Sequence, residues 1–245
     1  MSMDLAPKLS VVIGVLNAAH HIEGCLESIY AQGLEPATFE VLVLEGGSED
    51  APTARVAAFV DRRGIENLRI LPNPRRTLAA AFNTAIPRCR GALIGKLDAQ
   101  GRLGPGYYLA LLKELEADSR IGLVGGRFNP VGDTPLAKAW APVFTDPFLV
   151  GPARYRYARA RTEIDAAPFG IYRREAIEQV GWFDERILRA EDTDFNLRMR
   201  GLGWVIVLQP GVSATYFVRR DLASSFKQFQ GYAYWRSFVR RKHGL

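Results

Sequence analysis

The chain is poor in the residues that build metal and disulfide sites, with two cysteines and three histidines in 245 residues. Cys25 and Cys89 have no ligand-type spacing, and His20, His21 and His243 are too few and too scattered for a zinc site. Both cysteines fall in predicted helices and read as reduced core thiols, the usage expected of a cytoplasmic protein. Long apolar runs are missing too. Nothing approaches the roughly 18 consecutive apolar residues of a membrane span, and Met1 to Lys8 lacks the basic-then-apolar order of a secretory signal. Three α/β motifs are also absent. The turn after the first apolar run, Gly14-Val15-Leu16-Asn17-Ala18-Ala19, is not the Gly-x-Gly-x-x-Gly of dinucleotide binding. There is no Gly-x-x-x-x-Gly-Lys phosphate loop and no Gly-x-Ser-x-Gly elbow, which argues against an α/β hydrolase.

What the chain does have is strand and helix in alternation. A hydrophobic share of 48% suits one large α/β domain. Leu9 to Leu16 is a nearly unbroken, β-branched apolar run, as a buried parallel strand requires. Helical spacing follows at Ile22, Cys25, Leu26 and Ile29. Strands are predicted at Phe39 to Leu44, Leu68 to Leu71 and Ala92 to Leu97, with helices at Asp50 to Arg63 and after a Thr77 cap. Such order implies right-handed crossovers and a mostly parallel sheet with helices on both faces. A helix at Pro105 to Ala117 and a strand at Ile121 to Phe128 complete this half.

The rhythm then breaks. Asn129 to Asp165 is rich in proline and glycine and carries the basic-aromatic run Arg154 to Arg161. Regular structure resumes at Phe169 to Tyr172, Arg174 to Val180, a helix from Glu191 and a strand at Trp204 to Leu208. The final helix, Asp221 to Lys242, is expected to turn Leu222, Phe226, Phe229 and Ala233 inward, with Arg236, Arg240, Arg241 and Lys242 at its far end.

The net charge of +6 favours an anionic partner: a nucleotide, a lipid surface or nucleic acid. Nucleic acid is not expected, because the arginines alternate with tyrosines in an irregular insert and no recognised motif accompanies them. Two acidic sites carry the chemistry. Asp98, in Lys96-Leu97-Asp98-Ala99-Gln100, stands just past a strand end, where open α/β sheets hold ligands. Glu191-Asp192-Thr193-Asp194 opens a helix about ninety residues later. A carboxylate beside a diphosphate can place a cation, and an unliganded one can take a proton from an attacking hydroxyl. For Glu191, and also for Asp192, a helix-cap role competes, since acids there complement the helix dipole. Glu45, which ends the second strand before Gly46-Gly47-Ser48, suits a base or ribose contact or a plain tight turn.

In order and spacing these segments, together with Asn73-Pro74-Arg75, Ala79 to Ile86 and Gly181-Trp182-Phe183-Asp184-Glu185, resemble the family 2 glycosyltransferases of the GT-A fold, bacterial polysaccharide-type members especially. The resemblance covers about residues 9 to 217. It implies a single domain over 1–245, with a nucleotide-sugar half at about 9–128, an acceptor and catalytic half at about 129–217 and a C-terminal helix at 221–242. It further implies that Val15 to Asn17 and Glu45 hold the nucleotide, with Glu45 one methylene longer than the usual Asp. Asp98 matches the first acid of an Asp-x-Asp motif for Mg²⁺ or Mn²⁺, and Gln100 stands where the second acid is usual. A neutral amide oxygen there holds the cation less tightly. Asp192 matches the general base of the inverting members, and Arg219 and Arg220 become candidates for the diphosphate. Gln228, Gln230, Trp235 and Arg236 resemble only loosely a Gln-x-x-Arg-Trp segment, and no catalytic role follows from them.

The implied partners are a nucleotide-diphosphate sugar donor and an acceptor hydroxyl of unknown identity. Two alternatives stay open: a catalytically weakened nucleotide-sugar-binding relative, motivated by Gln100 and Glu45, and another nucleotide-dependent transferase. Location is expected to be cytoplasmic, with the apolar face and basic end of the last helix allowing peripheral contact with the inner membrane.

Overall fold

A computed structural model describes residues 6–150 and 153–244. The leader question at residues 1–5 and the 151–152 step of the insert lie outside the described residues. Strands β1 (Leu9–Val15), β2 (Phe39–Glu45), β3 (Leu68–Pro72) and β4 (Leu93–Asp98) run parallel in the spatial order β3-β2-β1-β4. β1 lies between two partners and is buried on both faces. Val11 and Ile13 join one core layer and Val12 the other, which explains the unbroken apolar run. Helices α1 (Ala19–Tyr30), α2 (Pro52–Arg63) and α4 (Tyr107–Ala117) cover the first layer. Helices α3 (Leu78–Ala85), α7 (Arg174–Val180) and α8 (Glu191–Gly201) cover the second. Thr77 caps α3 as its sequence position predicts, its hydroxyl accepting the Ala80 N–H at 3.2 Å.

Beyond β4 the strand directions mix. β8 (Ile171–Arg173) pairs antiparallel with both β4 and β6 (Ile121–Val131). The long β9 (Val205–Phe217) runs parallel to β6, while the short β5 (Gly101–Leu103) and β7 (Thr162–Glu163) add antiparallel to β9. By ladder length the sheet is mostly parallel. β6 and β9 both run past their predicted ends, because a register shift between Gly126 and Arg127 lets pairing resume as Arg127 with Ser213. The proline-rich insert forms two short helices, α5 (Pro135–Trp140) and α6 (Pro147–Val150), with one 3₁₀ turn between them and another after α6. Cys25 lies in α1. Cys89 is placed just past a 3₁₀ turn rather than in a helix, and both are buried free thiols.

The last helix, α9 (Leu222–Lys242), reverses its expected orientation. Leu222 and Phe226 are 59% and 71% exposed and Ala233 is exposed, while Phe229 alone of the four packs as expected, its ring 5.3 Å from Trp140 and 5.4 Å from Phe144. Its buried residues are Ser225, Gln228 and Val239. The inner face is polar because it closes over a cleft rather than a core. Gln228 Nε2 donates to Tyr216 Oη at 3.0 Å. At the far end Lys242 is not a free charge: its Nζ donates to Asp184 at 2.9 Å and to Asp194 at 2.6 Å.

Candidate active site

The carboxyl ends of β1 and β4, the start of α8 and the inner face of α9 enclose a cleft of about 600 Å³, ample for a nucleotide-sized ligand. Gly14 lets β1 and α3 approach there, since a Cβ at this position would stand 2.6 Å from Leu78 Cδ2. Three residues lining the cleft, Arg76, Phe169 and Ala190, hold left-handed backbone with φ of 59°, 57° and 62°. Non-glycine residues adopt that region at a cost, and such strain gathers at functional sites.

The three acids at the head of α8 have three different surroundings. Glu191 is buried and accepts from Lys96 Nζ at 3.1 Å, which ties α8 to the strand that carries Asp98. Lys96 also sits 5.1 Å from the centre of the Phe82 ring. Burial alone would lower the Lys96 pKa, but Glu191 first, then Asp192 and Asp98, hold it well above its usual range. Asp194 is buried against Arg198, Lys242 and His243. Glu191 and Asp192 both line the cleft, but only Asp192 has no cation bridged to it among the described residues, its Oδ1 accepting the Thr193 N–H at 2.8 Å. The capping alternative for Glu191 thus gives way to a buried ion pair. Asp192 keeps a carboxylate available to a ligand.

Asp98 and Gln100 both line the cleft. Burial raises the Asp98 carboxyl, Lys96 opposes that shift and Asp192 adds to it. Asp98 Oδ1 is buried with no hydrogen-bond partner among the described residues. This unpartnered carboxylate oxygen and the side-chain carbonyl of Gln100, which lines the same cleft, are both hard-oxygen donors of the kind a divalent cation takes. Among the described residues no cluster of three His, Cys, Asp or Glu exists there, so further ligands must come from diphosphate or water.

The remaining sequence candidates divide. Val15 and Arg219 line the cleft. Asn17 and Glu45 do not, and both are occupied in the loop after β2. Glu45 accepts the N–H groups of Gly47 and Ser48 at 2.9 and 2.7 Å. Asn17 accepts the Glu49 N–H, and its own N–H donates to Ser48 Oγ. Burial pushes the Glu45 carboxyl up, but the Ser48 and Gly47 hydrogen bonds outweigh this and hold it below its usual range. Arg220 turns away, donating to Asp133 from Nε at 2.8 Å and lying beside His20. Sequence reasoning left Arg76, Arg156 and Tyr216 without a role although all three line the cleft. Arg156 carried a signal in the basic-aromatic run; the left-handed turn that presents Arg76 carried none.

The family model of glycosyl transferase family 2 matches residues 10–181. The chain belongs to that family. This glycosyltransferase is 23% identical over 242 residues to a dolichyl N-acetyl-alpha-D-glucosaminyl phosphate 3-beta-D-2,3-diacetamido-2,3-dideoxy-beta-D-glucuronosyltransferase of Methanococcus voltae, covering 96% of this chain and 74% of that protein. It is 28% identical over 237 residues to the succinoglycan biosynthesis protein ExoA of Rhizobium meliloti (strain 1021), covering 95% and 70%. Among solved structures, the mannosyltransferase PcManGT from Pyrobaculum calidifontis, in complex with GDP-Man and Mn²⁺, superposes with a TM-score of 0.64 at 22% identity, over 86% of this chain and 56% of that one. TarS residues 1–349 from S. aureus, in complex with UDP, gives 0.63 at 18%, over 86% and 60%. At such identities the likeness establishes the GT-A fold, and the chain spans little more than half of those two solved chains. Among the described residues no helix is long and apolar enough to cross a membrane.

Proposed function

We propose that this family 2 glycosyltransferase moves a sugar from a nucleoside-diphosphate donor to an acceptor hydroxyl with inversion, and that Asp192 is the general base. The observation that carries this reading is the pair of carboxylates that line one cleft from different elements, Asp98 from the sheet and Asp192 from α8, close enough for Asp192 to influence the Asp98 carboxyl. The acceptor O–H gives its proton to Asp192 as its oxygen bonds the anomeric carbon, and the bond from that carbon to the diphosphate breaks with its electron pair leaving on phosphate. Asp98 and the Gln100 carbonyl would hold a divalent cation, which offsets charge on the leaving diphosphate when bound. Arg219, close enough to influence the Asp98 carboxyl, adds positive charge on the same side. Lys96 answers the charge of Glu191 and holds α8 in register with β4, so the two carboxylates keep a fixed relation.

Nucleotide contacts fall to Val15 and its neighbours on the cleft wall, while Glu45 and Asn17 shape the loop behind them. The ligands in the neighbouring structures, GDP-Man and UDP, make guanosine and uridine diphosphate sugars the first donors to test. Turnover with Mn²⁺ that vanishes in Asp192→Asn supports the reading. Binding without turnover in the unmodified chain would return it to a nucleotide-sugar-binding role.

The outward Leu222 and Phe226 on α9, with Arg240 and Arg241 beyond them, support peripheral contact with an anionic leaflet at the cytoplasmic face of the inner membrane. Co-sedimentation with anionic vesicles at low salt that is lost at high salt is the expected result. Absence of binding at low salt removes the contact.

A further inference from the structure

The cleft gathers arginines that bridge no carboxylate. Outside it, Arg62, Arg75, Arg120, Arg186, Arg198 and Arg220 each bridge a carboxylate, while Arg102 lies over a ring and Arg173 and Arg174 donate to backbone carbonyls. Within it, Arg76, Arg156, Arg189, Arg219 and Arg236 bridge none among the described residues. Arg219, with Arg76 and a cation, can answer the donor diphosphate. Arg156, Arg189 and Arg236 remain, and they belong to the insert, the approach to α8 and α9.

These three arginines are held in place without neutralisation. Arg156 lies 4.8, 5.0 and 5.6 Å from the ring centres of Phe128, Tyr155 and Phe144. Its Nη1 donates to the Phe144 carbonyl at 3.1 Å and its Nε to Tyr155 Oη at 2.9 Å. No hydrogen bond engages Nη2 among the described residues. Arg236 lies over the Tyr232 ring at 5.5 Å. Arg189 runs across Gly231, where a Cβ would meet its Cδ at 2.8 Å. On the same inner face of α9, Gln228 is 4% exposed and donates from Nε2 to Tyr216 and Tyr232 at 3.0 and 3.3 Å. Its Oε1 is buried and receives nothing. Flipping the amide only exchanges an unmatched acceptor for an unmatched donor, so in either orientation one polar atom lacks a partner.

We propose that the α9 side of the cleft is an acceptor subsite for a sugar ring bearing an anionic group, either the carboxylate of a uronic acid or a phosphate ester. Arg156, Arg189 and Arg236 receive the anion, and the Gln228 amide hydrogen-bonds a ring hydroxyl between the tyrosines. This inference rests on the glycosyl-transfer reading for its role. The binding it asserts stands on the arginines and Gln228 alone.

The test is calorimetric titration of the full chain with methyl glucuronoside, glucose 1-phosphate and neutral methyl glucoside, each with and without UDP or GDP and Mn²⁺. The two anionic sugars should bind at least tenfold more tightly than the neutral one, and whichever binds better names the anion. Arg236→Gln, at an exposed position that leaves the fold intact, and Arg156→Gln should each remove about tenfold of that preference with nucleotide affinity unchanged. Gln228→Met should weaken all the sugars. Equal binding of charged and neutral sugars, or a loss of nucleotide affinity as large as the loss of sugar affinity, overturns the subsite. Nucleotide binding with no sugar binding also overturns it while leaving the transferase reading intact. A preference for anionic sugars with no nucleotide binding supports the subsite and removes the transferase reading.

Discussion

The stretch from β1 to β4 and the stretch from residue 129 onward hold their shapes by different means. In the first, each element carries its own periodicity, and the parallel strands β1, β2 and β4 bury apolar residues on both faces. In the second, short elements are pinned by arginines that donate to distant backbone carbonyls. Arg173 reaches Leu115 and Ile121 at 2.7 and 3.1 Å, Arg174 reaches Cys89 at 2.7 Å, and Arg198 reaches Val180 and Trp182 at 3.0 and 2.9 Å. The regular half offers fixed strand ends and the irregular half brings side chains to them. The cleft is the seam, with Asp98 on one side, Asp192 on the other and the Lys96–Glu191 pair across it.

Cutting that tie should have the largest effect on stability. Lys96→Met leaves Glu191 buried without a partner, which typically costs about 3–5 kcal/mol. Urea denaturation should show it, and adding Glu191→Met should restore most of the loss. An unchanged midpoint in the single variant would mean that the two halves are held together elsewhere.

Next in size is the cation side of the seam. Asp98→Asn should raise the Mn²⁺ concentration for half-maximal turnover by tenfold or more, and Gln100→Asp should lower it. Full turnover in excess chelator would remove the metal role and leave the arginines to balance the diphosphate.

Within the regular half, Thr77→Ala removes a side-chain cap from α3 and should cost about 1 kcal/mol of unfolding free energy. A loss close to zero would show that β1 packing alone holds that helix.

The smallest effect is local and depends on pH. Hydrogen bonds from Arg186, against the opposing push of burial, and from Lys242 hold Asp184 below the usual carboxylate range. Burial pushes Asp194 up, but Lys242 and His243 outweigh it. A depressed folded pKa gives stability that is complete above the unfolded value, about 3.9, and is lost as pH falls through the folded value. The far end of α9 should therefore keep its hydrogen-exchange protection from pH 7 to about 5, begin to lose it below about 4 and lose more as pH falls towards the depressed folded values, ahead of β1 to β4. Simultaneous loss in both regions would contradict the division.

How much of this was legible follows from where the information resides. β1, β2 and β4 were readable because a doubly buried strand must be apolar along its length, and Thr77 because a cap is a local bond. Motif and spacing singled out Asp98 and Asp192, which the fold brings to one cleft. The orientation of α9 was not: Leu222, Phe226, Phe229 and Ala233 share a helical face, yet the inner face is polar because it roofs a cleft, a fact held by partners on other elements such as Tyr216 of β9 rather than by the helix pattern. The left-handed backbone of Arg76, Phe169 and Ala190 left no trace in composition, since residues of those types rarely adopt it. Glu45 and Asn17 sat at informative strand ends, but the loop they would order was visible only once folded.

The division of labour between Asp98 and Asp192 is tested most directly by the Asp192→Asn variant, assayed for sugar transfer and for binding of the nucleoside diphosphate with Mn²⁺ in one preparation. Transfer should fall by about 10²–10⁴-fold, with nucleotide affinity and melting temperature within error of the unmodified chain. A fall of less than tenfold with the fold intact, or loss of nucleotide binding alongside transfer, would contradict the assignment of Asp192 as the base.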